Sequence, residues 1–307
     1  MIKEEEIENM NILVLAIKTT GEGMEIARKY IELNQSEMEF ESSKIMLCNL
    51  LKRMDKSDEF LKFLKQFLKN RGNENIAHIY HRIGLILRDK KKYEAELEYF
   101  EKAFNLCFYS DSSQQKYAAF VLHKQGTVYT KMKQLNKAWS SQWRGLQILD
   151  TMGYVDSHWR ALFYRSIGRI CLYRNKFDKA MKFCMKALCI RIFFLIPDHV
   201  LIALSYVDIA TIYFYQHQYN EALLYHLQAV EIRQKYLVPN NHEIVWCLHH
   251  VGKTYYKIGD LEKSLEYYLE SLKNMRRSTL ILARESHSSL LDDIILVYGN
   301  EYEKTLE

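Results

Sequence analysis

Residues 163–188 read FYRSIGRICLYRNKFDKAMKFCMKAL, and four other stretches repeat the pattern: HIYHRIGLILRDKKKYEAELEYFEKAF at 78–104, VLHKQGTVYTKMKQLNKAWSSQWRGL at 121–146, SYVDIATIYFYQHQYNEALLYHLQAV at 205–230 and CLHHVGKTYYKIGDLEKSLEYYLESL at 247–272. Their small central residues, Gly84, Gly126, Gly168, Ala210 and Gly252, are 42 residues apart at every step. Four equal intervals with the surrounding pattern intact mark an internal repeat whose units share one core by stacking.

Each unit resolves into two helices by its apolar spacing. In 205–230, Tyr206, Ile209, Ala210 and Tyr213 lie on one helical face, Ala222, Leu223, His226, Ala229 and Val230 on the next, and the polar turn Gln216-His217-Gln218 separates them. Helix axes approach most closely where residues are small, so Ala138, Ala180 and Ala222 form one contact column and Ala103, Gly145, Ala187 and Ala229 another. Tyr93, Leu135, Phe177, Tyr219 and Leu261 fill the gap that opens at the turn. Asp156, Asp198 and Asn240, again 42 apart, are expected to cap the helices that follow them. Pro197 and Pro239 fall just before two of these caps, where proline interrupts a helix at modest cost.

Composition agrees with a helical array. The 307 residues include only 2 Pro and 11 Gly, too few for the many tight turns of a sandwich or barrel. The six cysteines are scattered without a CxxC pair and read as small core residues of a reducing, cytoplasmic compartment. The first residues, MIKEEEIENMNILVLAIK, are acidic where a signal peptide is basic, and their apolar run is too short to span a membrane. The net charge of +5 is uneven: residues 1–60 hold 8 Lys+Arg against 13 Asp+Glu, a net of −5, which leaves +10 on the rest. The densest basic run, Arg88-Asp89-Lys90-Lys91-Lys92, is interrupted by an aspartate, and nucleic acid is not an expected partner.

These residues resemble the tetratricopeptide family, and within it the long-repeat arrays of kinesin light chains and nephrocystin-like proteins. Ile167-Gly168 on the first helix and Tyr213, Ala222 and Ala229 match the family pattern, and the joining phrases IRIFFLIPDHVLIA and IRQKYLVPNNHEIV look like kinesin-light-chain connectors. The resemblance implies an all-α fold, a right-handed alpha-alpha superhelix of stacked antiparallel helix pairs. Units are expected at about 41–76, 77–118, 119–160, 161–202, 203–244 and 245–286, the first with Cys48 in the small column. Residues 1–40 form an acidic segment in which Leu13 to Leu33 reads as a degenerate pair, and 287–307 hold a capping helix, Ser286 to Tyr298, and a tail. The sequence departs from the pattern at Glu96, where alanine is expected, at Gln125, which replaces an apolar residue, and at Gln142 and His226, which replace aromatics. The unit 119–160 is therefore expected to pack most loosely.

In this family the first helices line a concave groove that holds a peptide. Carried over column by column, the groove positions here are His78, His81, Arg82 and Arg88; His123, Lys124 and Lys131; Arg165 and Arg169; and His249, His250, Lys253 and Lys257, opposed in the same columns only by Asp89 and Asp208. Tyr173, Phe214, Tyr215, Trp246 and Tyr256 share these columns and offer apolar pockets. A wall of one sign recruits a ligand of the other, so an acidic peptide or a free C-terminus is the expected partner. The asparagines that chaperone-binding relatives use to clamp a terminal carboxylate are missing.

No catalytic motif, phosphate loop or cofactor signature occurs, and His249-His250 point about 100° apart on a helix, which excludes one shared metal ion. The chain is expected to be a non-enzymatic adaptor without cofactor. The alternative is a regulatory or targeting part of an enzyme system, such as the companion of an ADP-ribosyltransferase; a third reading is end-to-end self-assembly. Residues 1–12 are acidic enough to compete for the basic groove.

Overall fold

A computed structural model of the chain describes residues 61, 64, 65, 68, 76–109, 112–153, 158–238, 241–276 and 289–298. Two units divide the chain, Met1–Ile45 and Met46–Glu307, and every described residue belongs to the second. The acidic segment 1–40 and its helix pair, Cys48 and the caps expected at Asp156 and Asn240 lie outside the described residues, as does the side chain of Asp89.

Among the described residues, ten helices follow one another in pairs: α1 (Ile76–Asp89) with α2 (Tyr93–Phe108), α3 (Ser112–Lys131) with α4 (Leu135–Thr151), α5 (His158–Tyr173) with α6 (Phe177–Phe194), α7 (Val200–Tyr215) with α8 (Tyr219–Tyr236), and α9 (His242–Ile258) with α10 (Leu261–Arg276). A last helical stretch, α11, covers 289–298, and no strand occurs among the described residues. Each hairpin packs chiefly within itself and then against the start of the next, while α5 also touches the first helices on either side, α3 and α7. The fold is an all-α solenoid of stacked antiparallel helix pairs.

The hairpin turns share one backbone device. Lys91, Lys133, Asn175, His217 and Gly259, 42 residues apart, all take positive φ, between 55° and 96°. The amide after each reaches back to the carbonyl five residues earlier, from Lys92 N–H to Leu87 O (3.0 Å) through to Asp260 N–H to Tyr255 O (3.1 Å), which satisfies carbonyls the ended helix leaves free. Only the last turn uses glycine, the residue that adopts this conformation without steric strain. The next residue but one starts the second helix, so Tyr93, Leu135, Phe177, Tyr219 and Leu261 are all first residues of second helices and half-buried.

Small residues sit where the hairpins close. A Cβ added at Gly84 would stand 2.5 Å from the Phe100 ring, at Gly168 2.6 Å from Cys184 Sγ, and at Gly252 2.5 Å from the Tyr268 ring. Ala138, Ala180 and Ala222 are fully buried, and so is Glu96, their counterpart in the first complete hairpin. The departures at Gln142 and Gln125 are absorbed by polar partners. Gln142 donates to the backbone oxygen of His123 at 3.1 Å and lies 3.1 Å from its Nδ1, and Gln125 donates to Glu101 at 3.0 Å.

The caps fall one residue later than the sequence pattern predicts. His199 Nδ1 accepts from the N–H of Leu201 at 3.1 Å, and Asn241 Oδ1 from the N–H of Glu243 at 2.9 Å. Asp198 instead takes φ +64°, turning its carboxylate back to Lys235 Nζ at 2.9 Å. The reason is steric: the left-handed residue reverses the chain, and the helix starts only after the following extended residue.

Candidate functional site

The wall built by α1, α3, α5, α7 and α9 carries the residues expected to bind a partner, and the structure spends many of them on its own architecture. Arg88 Nε donates to Glu96 Oε1 at 2.7 Å across the first hairpin. Arg165 on α5 holds Asp208 on α7 with Nε and Nη2, and His249 Nε2 on α9 lies 2.7 Å from Asp293 Oδ2 on α11. Acids from outside the first-helix columns pair with the wall as well. Glu96 reaches the wall from a second helix and Asp293 from α11, neither of which is read when first-helix columns are compared alone.

Most of the histidines named here are packed inside the array. His78 stacks on Tyr117 with ring centroids 3.9 Å apart, His81 Nδ1 lies 2.7 Å from the Tyr117 hydroxyl, and both are buried together with Arg82. Burial, aided by the neighbouring Lys124, pushes His123 down to about 3, and burial does the same to His226. His250 stacks on His226 and touches the Trp246 ring at 3.9 Å, and burial lowers its pKa well below the ordinary imidazole value. His123, His226 and His250 are thus neutral packing elements at pH 7.

What stays accessible is a strip on α5, α7 and α9. One column holds Arg169, Thr211 and Lys253, the next Tyr173, Tyr215 and Lys257, each step being one 42-residue repeat. Tyr173 and Tyr215 are more than half exposed, and Trp246, near the start of α9, is exposed as well. Arg169 donates to the Tyr173 hydroxyl at 3.3 Å, Lys257 lies over the half-buried Tyr256 ring at 5.7 Å, and neither of them nor Lys253 is in an ion pair with a described residue. Lys124 rests on the Phe120 ring at 4.5 Å, while Lys131 is exposed and Phe214 half-buried.

Sequence reasoning missed Arg191 and Arg233. Both are almost completely buried at the ends of α6 and α8, in a column that otherwise holds Cys107, Leu149 and Met275. Arg191 Nη1 donates to Leu201 O at 2.9 Å and to Ser205 Oγ at 2.7 Å; Arg233 Nη1 donates to Glu243 O at 3.0 Å, and its Nη2 lies 3.2 Å from the Glu243 carboxylate. Each guanidinium ties the end of one hairpin to the first turn of the next. Burial, with Arg165 nearby, lowers Arg191 to about 9. The signal available was an arginine recurring after 42 residues at an otherwise apolar position.

Among the described residues, no group of three or more His, Cys, Asp and Glu is placed to hold a metal ion, and no helix is long and apolar enough to cross a membrane. Family models described as tetratricopeptide repeat match residues 159–235 and 201–277, and another of the same description matches 77–108. The chain is a tetratricopeptide-repeat protein. No curated protein matches it in sequence. Among solved structures, this repeat protein is similar to a STAND signal-transduction ATPase with a tetratricopeptide repeat sensor from Pyrococcus horikoshii, with a TM-score of 0.61 and 16% identity. That likeness covers 95% of this chain and 42% of the ATPase, so the chain spans well under half of that protein. BtubC (BKLC) from P. vanneervenii is similar over 75% of this chain and 94% of its own, with a TM-score of 0.56 and 14% identity. Nearly identical TPR-like repeats named for a kinesin light chain of Podosopora anserina match 61% of this chain and 95% of theirs, with a TM-score of 0.46 and 14% identity. Tetratricopeptide repeats form scaffolds for protein interaction, and the chain has that general character.

Proposed function

We propose that the protein is an adaptor that binds an acidic, partly aromatic peptide of another protein along the strip of α5, α7 and α9. The observation that carries this reading is that three cations in no ion pair with a described residue, Arg169, Lys253 and Lys257, share the strip with the exposed rings of Tyr173, Tyr215 and Trp246. Guanidinium and ammonium groups recruit carboxylates, and exposed tyrosines offer flat apolar area at low entropic cost. Neighbouring helix axes lie about 10 Å apart, so three first helices span about 20 Å, the length of roughly six extended residues. His81, Arg82, Arg88, His123, Arg165 and His249 act in this reading as the frame of the wall, since each is buried or already paired.

The test is fluorescence anisotropy with a labelled synthetic peptide of alternating Glu and Tyr residues, beside the matching Lys and Tyr peptide. Wild type is expected to bind the acidic peptide alone, and the Arg169→Glu, Lys253→Glu, Lys257→Glu variant to bind it at least about tenfold more weakly with unchanged helicity. Equal affinity of the two proteins rejects the strip.

A further inference from the structure

The outward face of α6 joins exposed lysines to exposed apolar residues. Exposed charges on α2 are chiefly acidic, with Glu94, Glu98 and Glu101 against Lys102; α8 shows Glu221 and Glu231 with Lys235, α10 shows Glu262 and Glu266 with Lys263 and Lys273, and α4 shows Lys137 and Arg144 with Asp150. On α6 the exposed residues are Lys179, Lys182 and Lys186, with Asp178 as the single acid. None of the three lysines is in an ion pair with a described residue; Lys186 only lies over the Tyr164 ring at 5.4 Å. Their spacing of three and four residues puts them on one face about 10 Å long.

The same face continues into exposed apolar residues. Met185 is exposed beside Lys182 and Lys186, and about two turns further on stand Ile192 (55% exposed), Phe193 (81%), Phe194 and, in the connector, Ile196 (66%). Phe193 and Phe194 meet edge to face with centroids 5.0 Å apart, forming a protruding aromatic pair. At 100° per residue, Lys182, Lys186 and Phe193 fall within one narrow arc, so cations and apolar tips face the same way. Exposed apolar groups grouped in this way mark an interaction surface, and a protruding edge suits a medium that yields around it.

We propose that the outward face of α6, with its connector, docks on an anionic lipid surface: Lys179, Lys182 and Lys186 reach the phosphates while Ile192, Phe193 and Ile196 enter the apolar boundary. Cations joined to inserted aromatic and aliphatic side chains are the two components of peripheral membrane binding, and each lysine contributes its share only where the surface is negative. The face belongs to a second helix and is independent of the first-helix strip, so peptide binding and membrane binding can fail separately.

Co-sedimentation of the full chain with phosphatidylcholine vesicles, with and without phosphatidylserine, tests the proposal. Binding is expected only with phosphatidylserine and is expected to weaken as salt rises. The Lys179→Glu, Lys182→Glu, Lys186→Glu variant should lose about tenfold or more in partitioning, and Phe193→Ser, Ile196→Ser should weaken it as well, both with the wild-type melting temperature. A matched Lys263→Glu, Lys273→Glu change on α10 should leave binding as it was. No binding to the anionic vesicles, equal binding to both vesicles, or equal loss from the α10 control would overturn the assignment. So would full binding by the Phe193→Ser, Ile196→Ser protein, which would leave the plain charge contact of an acidic protein partner.

Discussion

Arg165 and Asp208 stand on neighbouring first helices, α5 and α7, and meet through two guanidinium nitrogens, with Nη2 3.3 Å from Oδ1. One repeat hands a cation to the anion of the next, and the pair fixes how the two hairpins align. Asp208→Ala should therefore lower stability by about 1–3 kcal/mol, because it leaves a part-buried guanidinium without its carboxylate. Urea unfolding monitored by circular dichroism measures this, and an unchanged midpoint would remove the pair from the frame. Arg165→Glu would bring two carboxylates together and report on folding, so it is unsuitable for testing ligand binding.

Acid should destabilise the array through its buried histidines. His123 and His226 bind protons in the unfolded chain below about 6.5 but in the folded one only near 3. With folded values depressed, the neutral rings contribute their full stability above pH 6.5, and that contribution is lost as pH falls from 6.5 toward 3. The expected slope is about 1.4 kcal/mol per pH unit for each ring inside that window. His226→Phe, which restores the aromatic residue of the family pattern, should make the melting temperature less sensitive to acid; an unchanged pH dependence would rule out His226 as a contributor.

Four hairpin turns hold non-glycine residues in the left-handed region, and the exposed Lys133, with φ 58°, is one of them. Gly259 occupies the same position in the last hairpin. Lys133→Gly should remove the steric strain and raise stability by about 0.5–1 kcal/mol, the gain being reduced by the greater freedom of glycine in the unfolded chain. Thermal unfolding of the two proteins decides it, and a loss of stability would show that the Lys133 side chain contributes more than its backbone strain costs.

The repeat made the fold legible, because a 42-residue period is visible wherever small residues close a hairpin, as at Gly84, Gly168 and Gly252. The wall was legible only as positions. Columns identify which residues line the first helices, Asp208 among them, but not the acids that reach them from elsewhere: Glu96 from a second helix and Asp293 from α11. Partnership across a repeat depends on side-chain reach, which a one-letter alignment of columns does not carry. Arg191 and Arg233 escaped notice for a related reason: a charged residue in a connector looks solvated until the next helix is folded over it.

Gly252 shows how tightly a hairpin is closed. A methyl there would lie 2.5 Å from the Tyr268 ring and 3.1 Å from the backbone oxygen of Ser264, so accommodating it requires both helices to part. Gly252→Ala should cost about 1–3 kcal/mol. The same column already accepts a methyl at Ala210, where the facing residue is His226, a smaller ring. If the clash with Tyr268 is the cause, Gly252→Ala combined with Tyr268→His should be less destabilised than the sum of the single changes, by about 1 kcal/mol or more. Additive losses in that double-mutant cycle would instead place the cost on the backbone contact with Ser264, and the closeness of the two helices, not the size of the facing ring, would be what demands glycine.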